Sequence, residues 1–183
     1  EMAGKDIRAY FNFDTEENEK ISIRMALSSV STNGALNNLN TEIPEWDFEK
    51  IKQQAKIKWN RELSKIQVEM MDPREKVTFY TALYHTNLSP IIYEDVDGKY
   101  LGLDQNIHES GGFTNYTIFS LWDTYRALHP LFNITQPERN NDMIKSMLAH
   151  HDQSVHHMLP IWSHYGNENW CMIGYHATSV IAD

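Results

Sequence analysis

The sequence has a single cysteine, Cys171, among its 183 residues. One thiol excludes an internal disulfide and any zinc site built from several cysteines. The sequence also has no apolar run of about 18 residues, so no membrane-spanning helix is predicted. Basic residues are scarce as well, since 16 Lys and Arg stand against 25 Asp and Glu, for a net charge of −9. That balance argues against nucleic acid or an anionic membrane as the main partner.

The remaining composition is that of a folded protein. Hydrophobic residues make up 41% and aromatic residues 11% of the chain, which is enough for a sizeable core and excludes the disordered class. The opening residues EMAGKDIRAY lack the apolar stretch of a signal peptide, and the closing residues SVIAD fall inside an apolar helical pattern. We therefore expect a segment of a larger protein, with no signal segment in this chain.

The N-terminal part predicts two strands. Residues 7–14 and 20–30 alternate between apolar and polar side chains, with a polar turn at residues 15–19. Two strands with one apolar face are not stable alone, so we expect them to be the edge of a larger β-domain. Residues 31–44 are rich in Asn, Ser, Thr and Gly and predict a connection with at most short helical turns.

Helical patterns dominate the chain after residue 45. Apolar residues at steps of three and four predict an amphipathic helix over residues 46–70 and a second over residues 75–88. The alternation of apolar and polar residues that is typical of strands returns over residues 90–106. Within it, Asp97-Gly98 predicts a short hairpin.

Three more helices are predicted after the hairpin. The first lies in the stretch of residues 113–132 and ends near Pro130. The next begins at the capping-box spacing of Thr135 and Glu138 and runs to about His156. The last begins near Trp170 and continues to the end of the sequence.

The stretch FTNYTIFSLWDTYRALHPLF at residues 113–132 places an acid and a base inside an apolar, aromatic pattern. Asp123 and Arg126 lie three residues apart, on neighbouring ridges of a helix. One interpretation is a buried ion pair. The other is a sugar site, in which Asp123 accepts hydrogen bonds from ligand hydroxyls while Trp122 supplies an apolar ring face.

Glu168 is the second candidate. It stands in the sequence GNENW, in a glycine-containing loop before a predicted helix. It either faces a pocket or caps the following helix. If Asp123 and Glu168 came close together, they could act as the acid and base of glycoside hydrolysis.

The histidines form no recognisable metal motif. His150, His151, His156 and His157 lack the i, i+4 pattern of an H-E-x-x-H helix, so zinc is disfavoured. His176 lies in an apolar run and is interpreted as a core residue.

Three stretches together identify a family resemblance. They are YTIFSLWDTYRALHPL, GNENWCMIGYHATSVIAD and the upstream SSVSTNGALNNLNTEIPEWDFEKIKQQAKIKWNREL. They closely resemble glycoside hydrolase family 92, the exo-acting α-mannosidases of bacteria. The resemblance covers nearly the whole chain, and the Ser-Leu-Trp-Asp-Thr-Tyr-Arg string is its most specific part.

The resemblance implies an α+β segment of a larger fold. Residues 1–45 would be the end of an N-terminal antiparallel β-sandwich and its connection. Residues 46–72 would be a linker helix, and residues 73–183 the first helices of an incomplete (α/α)6 barrel.

The resemblance also implies an activity. Members of the family remove terminal α-linked mannose from glycans with inversion, and they need a calcium ion whose ligands in this chain stay unknown. For this protein we expect α-1,2-mannosidase activity in the degradation of N-glycans, at a periplasmic, cell-surface or secreted bacterial location. The partners expected are mannose-containing glycans and the remainder of the same polypeptide.

The site residues implied are Trp122, Asp123, Arg126 and Glu168, as substrate-binding groups. The family's general acid and general base lie in motifs that do not occur in this chain. We therefore expect no catalytic residue here, with Glu168 as the alternative, and no activity from the 183-residue segment alone.

Two rival functions stay open on the sequence. One is a different inverting glycosidase on an (α/α)6 barrel, with Asp123 and Glu168 as its catalytic pair. The other is a carbohydrate-binding module without catalytic activity.

Overall fold

The computed structural model describes residues 7–183. Its helices are α1 (Thr32–Glu42), α2 (Phe48–Leu63), α3 (Pro73–Thr86), α4 (Leu121–Thr124), α5 (Leu128–Thr135), α6 (Pro137–Gln153) and α7 (Ala177–Ala182). Its strands are β1 (Ile91–Ile92), β2 (Lys99–Leu101), β3 (Ile107–Glu109), β4 (Tyr116–Thr117), β5 (Ser163–His164) and β6 (Asn167–Glu168). The predicted α+β class is confirmed.

The strands form three small antiparallel ladders. β1 pairs with β4, β2 with β3, and β5 with β6. The pairing of β1 with β4 places Ile92 opposite Tyr116, so it fixes the segment that leads into α4.

The two predicted N-terminal strands are wrong. Residues 7–30 contain no strand, and residues 1–6 lie outside the described part. The apolar side chains of Phe11, Ile23 and Leu27 are 79%, 78% and 80% exposed. The alternating pattern is present, but a two-stranded pair is not stable without a further sheet surface to pack on.

The predicted connection at residues 31–44 is also corrected, because it contains the helix α1. The Ser31 hydroxyl caps this helix by accepting the backbone N–H of Gly34 at 2.9 Å. Asn38 on α1 donates to the Asp95 carboxylate at 2.8 Å, in a buried contact between distant parts of the chain. This tertiary contact favours a helix over the loop that the composition suggests.

The predicted helices at 46–70 and 75–88 are confirmed with shifted ends, as α2 and α3. Each begins at an Asp N-cap, Asp47 for α2 and Asp72 for α3. The rings of Trp59 and Tyr84 pack at 4.5 Å between centroids and join the two helices. Of the described residues of these helices, Leu83 alone is buried.

The predicted hairpin across Asp97-Gly98 is wrong in its pairing. The turn exists, because the Gly98 N–H donates to the Asp95 carbonyl oxygen at 2.8 Å. The strands on its two sides pair elsewhere, however, and β2 runs back along β3 through the turn at residues 102–106.

The single helix predicted over residues 113–132 is wrong as well. The stretch contains β4, the one-turn helix α4 and most of α5. Backbone N–H groups that a helix would use internally bond to other parts of the chain: Asn115 to the Glu94 carboxylate and Tyr116 to the Ser146 hydroxyl, both at 2.9 Å. Ile118 then takes a left-handed φ of 64°, which no α-helix accommodates.

Helix α6 is confirmed, but its predicted capping box is not. Pro137 occupies the first turn, as expected. Gln136 stands at the N-cap without a side-chain cap, and the Thr135 hydroxyl donates back to the Leu131 carbonyl oxygen at 3.0 Å.

One apolar core holds the C-terminal part of the chain together, from Tyr116 to Val180. Met143 and Met147 of α6 are fully buried in it, whereas Leu148 is exposed. The core cluster is made of Tyr116, Phe119, Leu121, Phe132, Met143, Met147, Ala177 and Val180. Since α4, α5, α6 and α7 all contribute to it, the core positions the residues around Trp122.

The predicted last helix begins later than expected, at Ala177. The residues before it form a loop in which Trp170, Met172 and Gly174 have φ values of 53°, 68° and 102°. Left-handed backbone of this kind cannot be part of a right-handed helix. No helix in the described part of the chain is long and apolar enough to cross a membrane.

The core also contains a neutral histidine that makes stability depend on pH. Burial lowers the pKa of His150 from 6.5 to about 4, and its Nδ1 lies 2.9 Å from the Ser163 hydroxyl. Because the unfolded chain binds this proton more tightly, the stabilisation is full above pH 6.5 and is lost as the pH falls toward 4. We expect the free energy of unfolding to fall by about 2 kcal/mol between about pH 7 and about pH 5 from this group.

The variant that tests this prediction is His150→Gln, because glutamine does not ionise between about pH 7 and about pH 5. Urea unfolding of the full-length protein at both pH values measures the difference in stability between wild type and variant. That difference should shrink at the lower pH, and a difference that stays constant would refute the assignment.

Candidate functional site

The predicted site residues Trp122 and Asp123 lie on the one-turn helix α4. Its first residue, Leu121, is fully buried in the core and anchors the turn. The next two side chains point away from that anchor, and both are exposed. A buried residue followed by two exposed ones on a single turn leaves both Trp122 and Asp123 accessible.

The Asp123 carboxylate has no hydrogen-bond or ion-pair partner within residues 7–183. The interpretation of Asp123 and Arg126 as a buried ion pair is therefore wrong, since both side chains are exposed and do not bond to each other. The backbone N–H of Asp123 donates to the Ser120 carbonyl oxygen at 3.0 Å, which fixes the turn. The carboxylate is left with all its acceptor positions available for a ligand's hydroxyl groups.

Aromatic ring contacts run from Trp122 to His176 and from His176 to Tyr125. The Trp122 and His176 ring centroids are 5.3 Å apart, and the His176 ring lies flat on Tyr125, at 4.1 Å and 10°. Arg126 completes the arrangement, because its Nε donates to the Tyr125 hydroxyl at 2.7 Å. We call Trp122, Tyr125, Arg126 and His176 the aromatic stack.

Glu168 has a different environment from Asp123. Its carboxylate accepts three backbone N–H groups, from Ile161 at 3.0 Å, Trp162 at 2.9 Å and Trp170 at 3.1 Å. A carboxylate has about four acceptor positions, so at most one stays open for a ligand. Glu168 is placed in strand β6 and holds the surrounding loop together; its predicted role in substrate binding stays a prediction.

The hairpin that carries Glu168 is attached to the segment before α4. The Phe119 N–H donates to the Ser163 carbonyl oxygen at 3.1 Å, and the Tyr165 N–H donates to the Thr117 hydroxyl at 2.8 Å. In the described part of the chain, no hydrogen bond or ring contact joins Glu168 itself to the aromatic stack. The structure thus brings Trp122, Asp123 and Arg126 onto one short segment and Glu168 onto its neighbour.

The histidines at the end of α6 and just after it make several contacts. His151 lies 2.9 Å from the Asp152 carboxylate, its ring lies 5.9 Å from that of His157, and the His156 ring meets the edge of Trp170 at 5.6 Å. Within residues 7–183 there is no group of three or more His, Cys, Asp or Glu side chains that could hold a metal ion.

Two clefts lie away from the aromatic stack. One, of about 1000 Å³, is lined by residues 20–25, 43, 45–49 and 51. The other, of about 500 Å³, is lined by Leu63 of α2 and by residues 76, 77, 80, 81 and 84 of α3. Neither of these two clefts is lined by a predicted site residue.

Tyr125 and His176 are the two members of the aromatic stack that the sequence does not single out as site residues. The sequence favours a core position for His176, whereas its ring contacts both Trp122 and Tyr125. No sequence signal points to it, because the supporting contact is visible only in the structure: a Cβ at Gly174 would lie 2.3 Å from His176 Nε2. A glycine that makes room for a ring marks a position where that ring is held closely.

Comparison with known proteins places the chain among glycosidases. The sequence model of the glycosyl hydrolase family 92 catalytic domain matches residues 34–183. A curated relative, described as an uncharacterized secreted glycosidase of Arthroderma benhamiae, is 31% identical over 90 residues. That match covers 46% of this chain and 12% of the relative.

The solved structures agree. A family GH92 alpha-mannosidase from Bacteroides thetaiotaomicron is 55% identical with a TM-score of 0.82, over 85% of this chain and 21% of that one. The same alpha-mannosidase has also been solved in complex with mannoimidazole. A family GH92 inverting mannosidase of the same species is 30% identical with a TM-score of 0.77, over 84% and 21%. The chain spans about a fifth of the length of these solved proteins.

Proposed function

This chain belongs to glycosyl hydrolase family 92, and we propose that the protein containing it is an exo-acting α-mannosidase that removes terminal mannose from glycans. Both solved relatives are named as mannosidases, and one binds mannoimidazole. The observation in this chain that carries the proposal is that the exposed Asp123 carboxylate, which has no partner within residues 7–183, follows Trp122 on the same exposed turn. An acceptor next to an aromatic face is the pairing that a sugar ring requires.

We further propose the reaction course and the division of labour. Hydrolysis proceeds with inversion: one carboxylic acid protonates the glycosidic oxygen, and a second carboxylate activates water on the opposite face. The proposal assigns both groups to other parts of the protein, so the 183-residue segment alone is inactive. Support comes from Glu168, whose three backbone contacts leave little of its carboxylate free for proton transfer.

The larger fold is part of the same proposal. An N-terminal β-sandwich would supply the surface that residues 7–30 lack, and an (α/α)6 barrel would include helices α3 to α7. The exposed apolar side chains of residues 7–30 are consistent with a further sheet.

We also propose an extracytoplasmic location and a substrate class. The curated relative is described as secreted, which favours a periplasmic, cell-surface or secreted enzyme acting on N-glycans. The preferred linkage proposed is α-1,2. The full-length protein should release mannose from α-1,2-mannobiose at least about tenfold faster than from the α-1,3 and α-1,6 isomers, a ratio equal to about 1.4 kcal/mol of transition-state discrimination.

The linkage test also separates the rival functions. Turnover of aryl glucosides without turnover of mannosides would favour the other inverting glycosidase. Mannose binding by calorimetry without any turnover would favour the carbohydrate-binding module.

Calcium dependence is a separate proposal. Calcium takes six to eight oxygen ligands, and residues 7–183 offer no cluster of three or more acidic or histidine side chains for it. These side chains therefore do not form a calcium site by themselves, and the remainder of the protein would have to supply ligands.

The expected result is that EDTA abolishes mannoside hydrolysis by the full-length protein and that CaCl2 restores it. Magnesium should not restore activity, because Mg²⁺ demands a tighter octahedral site. Full activity after dialysis against the chelator would refute the calcium requirement and leave the α-mannosidase proposal intact.

A further inference from the structure

Helix α4 is too short to hold its own side chains in place. It has four residues, from Leu121 to Thr124, and a single helical turn has no intrinsic stability in water. Leu121 is fixed by burial in the core, but Trp122 is 38% exposed and has no polar anchor in the described part of the chain. Something other than the turn itself must keep the Trp122 ring oriented.

His176 supplies the contact from the other side. It stands at the N-cap position of α7, and the next residue, Ala177, is fully buried in the core together with Val180. The backbone of His176 is therefore as fixed as the core. Its ring lies between Tyr125, at 4.1 Å and nearly parallel, and Trp122, at 5.3 Å and tilted by 56°.

Gly174 lies close to the third side of the imidazole ring. A Cβ at this glycine would lie 2.3 Å from His176 Nε2 and 2.7 Å from Cε1, and its φ of 102° disfavours any other residue. The same Nε2 is buried and has no hydrogen-bond partner within residues 7–183. A buried polar atom without a partner is destabilising, so hydrogen bonding does not explain why a histidine occupies this position. The flat contact between its ring and Tyr125 does explain it.

We propose that His176 is a positioning residue for the mannose site: its ring holds the Trp122 face, and with it the α4 turn that carries Asp123. The inference rests on the proposed function, because it concerns the orientation of the sugar-binding face. It requires an aromatic ring at position 176 and does not require the imidazole nitrogens.

Two substitutions separate the ring from the nitrogens. His176→Phe keeps a flat ring against Tyr125 and Trp122, so the full-length protein should keep its KM for an aryl α-mannoside within about twofold. His176→Gln keeps polar atoms but loses the ring, so KM should rise about tenfold while kcat stays within about threefold, the pattern expected when binding is lost.

A double-mutant cycle tests whether the effect passes through Trp122. If His176 acts by holding Trp122, Trp122→Ala should raise KM by about 30-fold, and adding His176→Gln should raise it no further, instead of multiplying to about 300-fold. The matched control is His85→Ala, an exposed histidine whose ring lies 5.8 Å from Tyr84 on α3, and its KM should be unchanged.

Each outcome has a distinct meaning. A multiplicative double variant, or an unchanged KM in His176→Gln, would overturn the positioning role. A loss in thermal stability with wild-type KM would do the same, because it would reveal a purely structural histidine. Failure of the wild-type protein to hydrolyse α-mannosides would instead overturn the proposed function.

Discussion

Replacing Asp123 by alanine should lower kcat/KM for aryl α-mannosides by more than about tenfold, because a hydrogen bond to a charged group contributes about 1.5–3 kcal/mol. The carboxylate has no partner in the described structure, so its removal breaks no internal contact. We therefore expect the folded state to be unaffected, with the same unfolding midpoint in urea. Steady-state kinetics of the full-length protein measures the first quantity and chemical denaturation the second.

Two further variants sharpen the interpretation of Asp123. Asp123→Asn keeps the shape and one acceptor oxygen but removes the charge, so its activity should fall between those of wild type and Asp123→Ala. Asp152→Ala is the matched control, because Asp152 is an exposed aspartate whose carboxylate contacts His151. If Asp123→Ala stays within about threefold of wild type, the lost binding energy is below about 1 kcal/mol and the assigned role is wrong.

Phe119→Ala should have the largest effect on stability, about 3–5 kcal/mol, because it leaves a cavity in a closely packed core. The Phe119 side chain is fully buried, lies two residues before α4, and meets the His150 ring edge-on at 5.7 Å. The loss should be local as well as global. Hydrogen exchange of the amides of residues 117–125 should accelerate in the full-length variant relative to wild type.

The Phe119 prediction has its own controls. Phe119→Leu fills part of the cavity and should lose markedly less stability than Phe119→Ala. Met71→Ala removes a large apolar side chain at a fully exposed position between α2 and α3, so it should change stability by less than about 0.5 kcal/mol. Equal losses for Phe119→Ala and Met71→Ala would show that the core is not where the structure places it.

Local sequence patterns are sufficient to predict a helix where capping and apolar spacing within the segment favour it. Helices α2, α3 and α6 have apolar residues at helical spacing, and Asp47, Asp72 and Pro137 mark their starts. Their existence was predictable because capping and amphipathic spacing act within a few residues. Their ends were less so, since they depend on neighbouring elements.

Long-range hydrogen bonds decided the segment around the site, and no local pattern encodes them. Residues 113–132 look helical by periodicity, yet the Tyr116 N–H bonds to Ser146, 30 residues away, and Asn115 to Glu94, 21 residues away. The hydrogen bonds to Glu94, which follows β1, and to Ser146 of α6 therefore outweigh the local preference for a helix. The result is that Trp122 and Asp123 lie on one isolated turn, and both are exposed.

The placement of the candidate residues is partly visible in the sequence. Trp122 and Asp123 are adjacent on the chain and the structure exposes both, while their role in substrate binding stays a prediction. The three amides that hold Glu168 come from a loop whose conformation involves left-handed residues at Tyr165 and Trp170. Contacts of this kind depend on backbone geometry, so the sequence could offer only a choice between a pocket and a helix cap for Glu168.

The most direct test of the proposed function follows the anomeric form of the mannose that the full-length protein releases from α-1,2-mannobiose, by proton NMR in the first minutes of reaction. We predict mannose release with the β-anomer appearing first and the α-anomer growing in later by mutarotation, because an inverting enzyme delivers water to the face opposite the leaving group. Release of the α-anomer first, or no release of mannose at all, would contradict it.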